Sequence, residues 1–206
     1  MSQEKTQENL TLKERQLLLR LARRAIEAAA AGRPLPQIDL ESLPERLREP
    51  RACFVTIHTK NGELRGCTGV LVARLPLAQE VIQTAAQTAL RDPRFPPVTP
   101  EEVPELDIEI SILTPPQPLH FSDPRELPRL IRPGIDGVTL FRGPYRATFL
   151  PQVWERISDP VEFLDMLSQK MGLPPRAWMF PGMQAEVYQV ESFSEKELAD
   201  EAPPPG

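Results

Sequence analysis

ACFVTIHTKNGELRGCTGVL, residues 52–71, sets two β-rich runs on either side of Asn61-Gly62. Asn-Gly is a strong hairpin signal because both residues tolerate the positive φ of a tight turn. Pairing Lys60 with Glu63 puts Ile57 opposite Gly66, His58 opposite Arg65 and Thr56 opposite Cys67. One face then holds Cys53, Val55, Ile57, Leu64 and Val70; the other holds Thr56, His58, Arg65 and Cys67. A slip of one residue mixes the two sets, so the apolar pattern itself selects this register. Cys53 falls opposite Val70, about 10 Å along the strand from Cys67, which argues against a disulfide between the two.

Outward from the hairpin, the remaining elements follow the same period arguments. Upstream, Thr11 and Glu14 make a capping box for an amphipathic helix that runs to Ala31 with Leu17, Leu18, Leu21, Ala25 and Ile26 on one face, and Gly32 and Pro34 stop it. A proline-punctuated connection from Arg33 to Pro50 has room for a short helical turn near Ser42 to Leu47. Downstream, Pro76 opens a helix through Leu77, Val81, Ile82, Ala85 and Ala89. Four prolines between Arg91 and Pro100 then make a stiff loop. Leu106 to Leu113 alternates as a half-buried strand. Val138 to Arg142 and Tyr145 to Leu150 form a second hairpin around Gly143-Pro144. Asp159-Pro160 starts a helix to Met171, and Ala185 to Phe193 reads as the last strand.

About six strands in hairpins with three main helices predict an α+β fold with a mostly antiparallel or mixed sheet. The expected organisation is a flexible N-terminus over residues 1–10, a single domain over 11–195 and an acidic, proline-rich tail over 196–206. A chain of 206 residues with 40% hydrophobic and 26% charged residues can bury a core of its own. The net charge of -5 repels a phosphate backbone, which disfavours nucleic acid as a partner. No apolar run reaches the roughly 18 residues that cross a bilayer, and the first ten residues are too polar for a secretory signal, so the expected location is the cytoplasm. Two cysteines and two histidines cannot make the usual structural zinc site, and no metal or cofactor is expected.

The chemistry-bearing residues gather near Cys67. Arg65 lies two residues away on the same strand face and His58 lies diagonally across, roughly 7 Å between backbones. A guanidinium favours the thiolate and an imidazole can act as base, so Cys67, Arg65 and His58 form a candidate catalytic set. The competing reading makes Cys67 a small buried residue in a glycine-flanked strand. Glu109 and Ser111 point the same way from their strand, either toward a ligand or as a solvated sheet face. Glu109 is the expected ion-pair partner of Arg65 or Arg146. Asp92-Pro93-Arg94 follows a helix, where Arg94 either clamps a carboxylate or phosphate or bridges to Asp92. Thr148 and Gln152 flank a helix start opened by Pro151, a place where amides meet an anion. Arg65, Asp92, Arg94, Glu109, Ser111, Arg146, Thr148 and Gln152 are therefore the ligand-binding candidates. Asp136-Gly137 reads as a turn, and Trp154 and Trp178 as packing residues.

Five strings arrive in order: Leu-Arg-Gly-Cys-Thr-Gly at 64–69, Asp-Pro-Arg-Phe-Pro-Pro at 92–97, Ile-Glu-Ile-Ser at 108–111, Pro-Gly-Ile-Asp-Gly at 133–137 and Arg-Ala-Thr-Phe-Leu-Pro-Gln-Val-Trp at 146–154. Together they make the chain, over about residues 12–195, resemble the AMMECR domain family, called AmmeMemoRadiSam system protein A in bacteria and archaea. The resemblance implies an α+β fold of two unequal lobes in one body, with the Arg-Gly-Cys strand lining a cleft, and the company of Memo-like and radical SAM proteins. Thr68 and Ala147 depart from the family's usual Ile and Gly. Three readings stand: a module binding a small anionic ligand or a protein partner in a cleft lined by Arg65 and Cys67; a Cys67-dependent enzyme or catalytic accessory; and, least favoured, a nucleic-acid binder.

Overall fold

The computed structural model describes residues 9–200. Its helices and strands fall into two compact units, one made of the chain up to Leu113 and from Glu191 onward, the other of Thr114–Val190. The first unit opens with α1 (Leu12–Ala30), capped as expected by Thr11 and Glu14. The expected short turn near residue 45 is α2 (Glu45–Arg48). Strands β1 (Cys53–Thr59) and β2 (Leu64–Gly69) follow, then α3 (Leu77–Arg91) and β3 (Leu106–Leu113). The unit is completed by β8 (Val190–Ser194) and α6 (Glu195–Asp200), and its sheet runs β2-β1-β3-β8. The proposed flexible segment 1–10 lies outside the described residues up to position 8, and the expected tail begins with α6.

Alternation decides which way this sheet faces. Cys53, Val55 and Ile57 stand opposite Ile112, Ile110 and Ile108, and all six are buried in one cluster with Leu18, Ile26, Leu77, Val81 and Ala85 of α1 and α3. Complete burial of a side chain of this size contributes about 1.5–3 kcal/mol. The other face of the same rows carries Phe54 opposite Ser111, Thr56 opposite Glu109 and His58 opposite Asp107. Pro76 precedes α3 instead of occupying its first position, with ψ 137, and its carbonyl accepts from Glu80 N–H.

The second unit holds β4 (Gln117–Leu119), α4 (Leu127–Leu130), β5 (Gly137–Arg142), β6 (Tyr145–Phe149), α5 (Pro160–Lys170) and β7 (Gln184–Tyr188), with sheet order β4-β7-β5-β6. Gly143, at φ 59, opens the two-residue turn between Arg142 and Tyr145. In its core the Trp154 ring stacks on Phe163 with centroids 3.8 Å apart, and Trp178 is also buried, as packing residues should be.

Two strands escape the sequence reading. β4 is three residues long with Pro118 at a sheet edge, too short to show a period. The run expected as one strand from Ala185 to Phe193 is two, β7 and β8, parted at Gln189. There the Gln189 N–H donates to Thr114 Oγ1 and the Gln189 carbonyl accepts from Thr114 N–H, both at 2.8 Å, so the chain leaves one ladder before joining another. Eight strands in two sheets replace the expected six among the described residues.

Asp136 is more than a turn residue. Its carboxylate is buried and accepts from Arg132 N, Nε and Nη2 and from Gln189 Nε2, while its carbonyl accepts from Trp154 Nε1 at 2.7 Å. Burial alone pushes this carboxyl up; the Arg132 and Gln189 hydrogen bonds override it and hold the group below the usual carboxylate range.

Candidate functional site

Thr56 and Cys67 are direct partners across β1 and β2. The Cys67 N–H donates away from β1, to Asp92 Oδ2 at 2.8 Å, which makes the two residues a non-hydrogen-bonded pair with closely spaced side chains. Thr56 Oγ1 accordingly donates to Cys67 Sγ at 3.2 Å. Glu109 stands on the other side of Thr56, so Cys67, Thr56 and Glu109 form one row across three strands. Cys67 is half-buried on this polar face. Cys53, on the opposite face, is fully buried, and burial pushes its thiol up to about 12.

The expected register holds from Phe54 to Ile57 and fails at Arg65. Thr59 N–H donates to Glu63 O, and Gly62, at φ 84, closes a three-residue loop instead of the two-residue one. His58 therefore meets Leu64, and Arg65 is left as the extra residue on β2, opposite the step from Ile57 to His58. A bulge of this kind re-aims a side chain. Arg65 goes to Glu102, with Nε–Oε1 at 3.0 Å and Nη2–Oε2 at 3.2 Å, and its Nη1 donates to Pro96 O at 3.0 Å. It is only 12% exposed there, and its guanidinium holds the Glu102 carboxyl below the usual range. Arg65 thus fastens the proline-rich loop to the hairpin.

The guanidinium at Cys67 belongs to Arg94. α3 crosses β2 so closely that a Cβ on Gly66 would meet Thr88 at 3.1 Å, and this brings the end of the helix to the edge strand. Asp92 follows the helix in the extended conformation that a residue before proline prefers. Its buried carboxylate accepts from Cys67 N–H and Arg94 N–H, and from Arg94 Nε at 3.0 Å and Nη2 at 2.7 Å. Arg94 Nη2 also donates to Cys67 O at 2.9 Å. Hydrogen bonds from Arg94, aided by the two amides, hold Asp92 far below the usual carboxylate range against the opposing effect of burial. The edge strand's outward donor and acceptor at Cys67 are both satisfied in this way, as a sheet edge requires. Arg94 remains 54% exposed, with Nη1 making no hydrogen bond among the described residues.

Profile comparison matches the AMMECR1 family over residues 19–193. The chain belongs to the AMMECR1 family. It is 40% identical to protein MJ0810 of Methanocaldococcus jannaschii over 190 residues, covering 91% of this chain and 93% of that protein. A protein of Methanothermobacter thermautotrophicus is likewise 40% identical, with 90% of this chain and 96% of the other covered. The crystal structure of the uncharacterized protein PH0010 from Pyrococcus horikoshii superposes with a TM-score of 0.74 at 36% identity, over 91% of this chain and 94% of that one.

In this AMMECR1 chain the other candidates separate. Glu109 pairs with neither expected arginine, since Arg65 holds Glu102 and Arg146 holds Glu186 at 3.1 Å. Burial instead pushes the Glu109 carboxyl up, and the His58 charge partly offsets this. Ser111 shares a hydrogen bond with Ser192 at 2.8 Å. Arg146, Thr148 and Gln152 belong to the second unit. Thr148 Oγ1 donates to Val138 O and shares a hydrogen bond with Tyr188 OH, and Gln152 is exposed. Of the two departures, Thr68 turns its hydroxyl to Thr88 Oγ1 at 2.7 Å, a polar contact between β2 and α3, and Ala147 is buried opposite Leu140. The sequence reading missed the role of Thr56 as donor to the sulfur and of Glu102 as anchor. No helix among the described residues is long and apolar enough to cross a membrane.

Proposed function

We propose that the protein is a binding module in which the polar face around Cys67, rimmed by Arg94, takes a small anionic ligand or a segment of a protein partner. The observation that carries this reading is Arg94. A buried aspartate fixes its fork by two hydrogen bonds, yet more than half of the side chain and its Nη1 donors face outward. Such an arginine is already oriented to meet a planar oxyanion and loses little freedom on binding. The family resemblance extends the proposal to a cytoplasmic AmmeMemoRadiSam-type system protein A acting with Memo-like and radical SAM proteins. Mass spectrometry of whatever travels with the native protein tests this. The partner or small molecule is expected to vanish from Arg94→Ala and to persist in Arg146→Ala; equal recovery from both variants rules out the Arg94 site.

A second reading, a Cys67-dependent reaction, draws on the hydroxyl that Thr56 donates to the sulfur and on the Arg94 guanidinium held at the Cys67 carbonyl. Iodoacetamide at pH 7 is expected to label Cys67 faster than free cysteine while Cys53 stays unlabelled. A Cys67 rate no greater than that of free cysteine ends the activated-thiol reading.

A further inference from the structure

A cavity of about 460 Å³ opens at the hairpin end of the first unit's polar face, lined by His58, Lys60, Leu106, Asp107, Glu195 and Lys196 among others. That volume falls within the roughly 300–1,000 Å³ of small-molecule sites. Its polar groups divide into those already engaged and those left over. The Glu195 oxygens take Arg23 Nε and Nη2 and Ile108 N–H. Asp107 Oδ1 accepts from Lys196 N–H at 3.0 Å, and Lys60 pairs with Glu105. The His58 imidazole and the Lys196 ammonium make no hydrogen bond or ion pair among the described residues. Donors on His58 and Lys196 are thus left for a ligand, with Asp107 Oδ2 the one carboxylate oxygen of Asp107 and Glu195 that takes no hydrogen bond among the described residues. Asp107 faces His58 across the strands; burial pushes its carboxyl up, and the Lys196 N–H bond and the His58 and Lys196 charges work against that.

We propose that this cavity is a small-anion pocket that takes the carboxylate or phosphoryl group of a small organic acid or phosphate ester between His58 and Lys196. The cavity is larger than a bare oxyanion needs, so the anionic group brings a carbon skeleton with it, and apolar Leu106 in the lining suits that skeleton. The pocket begins two residues along β1 from Thr56 and does not depend on the Cys67 reading.

The test is a heteronuclear NMR titration of the full chain with sodium phosphate and with sodium glutarate, ionic strength being held constant with chloride. Saturable shifts of the His58, Lys60, Asp107 and Lys196 amides are expected. Lys196→Ala and His58→Gln should each weaken binding by about 3- to 10-fold, as loss of one charge-assisted partner at a half-open site implies, while Lys13→Ala leaves it unchanged. Tighter binding of phosphate assigns a phosphoryl ligand, and tighter binding of glutarate a carboxylate. In the unsubstituted chain, either anion should slow acetylation of Lys196 relative to Lys13, which serves as a readout should a variant misfold. Absence of saturation, equal weakening by Lys13→Ala, or no protection of Lys196 overturns the proposal.

Discussion

Replacing Asp92 with alanine removes four hydrogen bonds at once, from Cys67 N–H, Arg94 N–H, Arg94 Nε and Arg94 Nη2. The two guanidinium bonds count for little, because Arg94 is more than half exposed and water replaces the partner. The two amide bonds to a buried carboxylate are charge-assisted, at about 1.5–3 kcal/mol each, and the Cys67 amide at a sheet edge recovers part of its loss from water. The expected destabilisation is about 2–4 kcal/mol. At about 2–4 °C per kcal/mol for a chain of this size, Tm should fall by roughly 5–15 °C, and hydrogen exchange at the Cys67 amide should accelerate. Asp92→Asn, which keeps one acceptor, should cost less. The pH dependence follows from the depressed carboxyl. The contribution is in force above the unfolded value of about 3.9 and disappears as pH falls through the lower folded value. The gap between native and Asp92→Ala proteins, measured by far-UV circular dichroism, must therefore close on acidification. A gap that stays constant from pH 7 to pH 2, or a loss below about 0.5 kcal/mol at pH 7, refutes the account.

Three further outcomes follow. Gly69→Ala drives a Cβ against Cγ and Cδ1 of the Phe54 ring and to 2.6 Å from Cys53 O; it should destabilise by about 1–3 kcal/mol or more in urea unfolding, because a backbone oxygen cannot step aside as a side chain can. Glu109→Gln should gain stability relative to the parent as pH rises from 4 to 8, since burial favours the neutral acid and that advantage is lost as the carboxyl ionises above its unfolded value; a constant difference across that range contradicts it. Asp136→Asn should weaken the second unit at neutral pH by about 1–3 kcal/mol, with the difference fading in acid, as read by tryptophan fluorescence through the neighbouring Trp154.

The hairpin shows what a sequence can reveal and where it stops. Alternation placed Thr56 against Cys67 and Ile57 against Gly66 because burial of one face tolerates no other register. Loop length is governed by a subtler balance. Asn61-Gly62 suits both a two-residue turn and a three-residue loop ending on Gly62, and the extra residue was absorbed at Arg65, the residue on which the expected thiol–guanidinium pair depended. Arg94 could be recognised as a clamp but not assigned to Cys67, because that contact depends on how closely α3 approaches Gly66. The bridge to Asp92, one of the two readings open from sequence, formed together with the contact to Cys67. The pairing of Glu109 with an arginine failed for a similar reason: opposite charges are plentiful in this chain, and tertiary placement chooses among them.

The N-terminal helix is tied down by residues synthesised far later. Glu191 accepts from Leu10 N–H and Arg15 Nε, and Glu195 grips Arg23. During translation at about 5–20 residues per second, α1 therefore waits about 8–32 seconds for these anchors, and the whole of the inserted second unit is made in the interval. That unit can complete its own ladders while the first, with β1, β2 and β3 already made, still lacks β8 and α6. A stalled chain released short of Glu191 would present α1 without its clasp, a form that chaperones and proteases should recognise ahead of the finished protein.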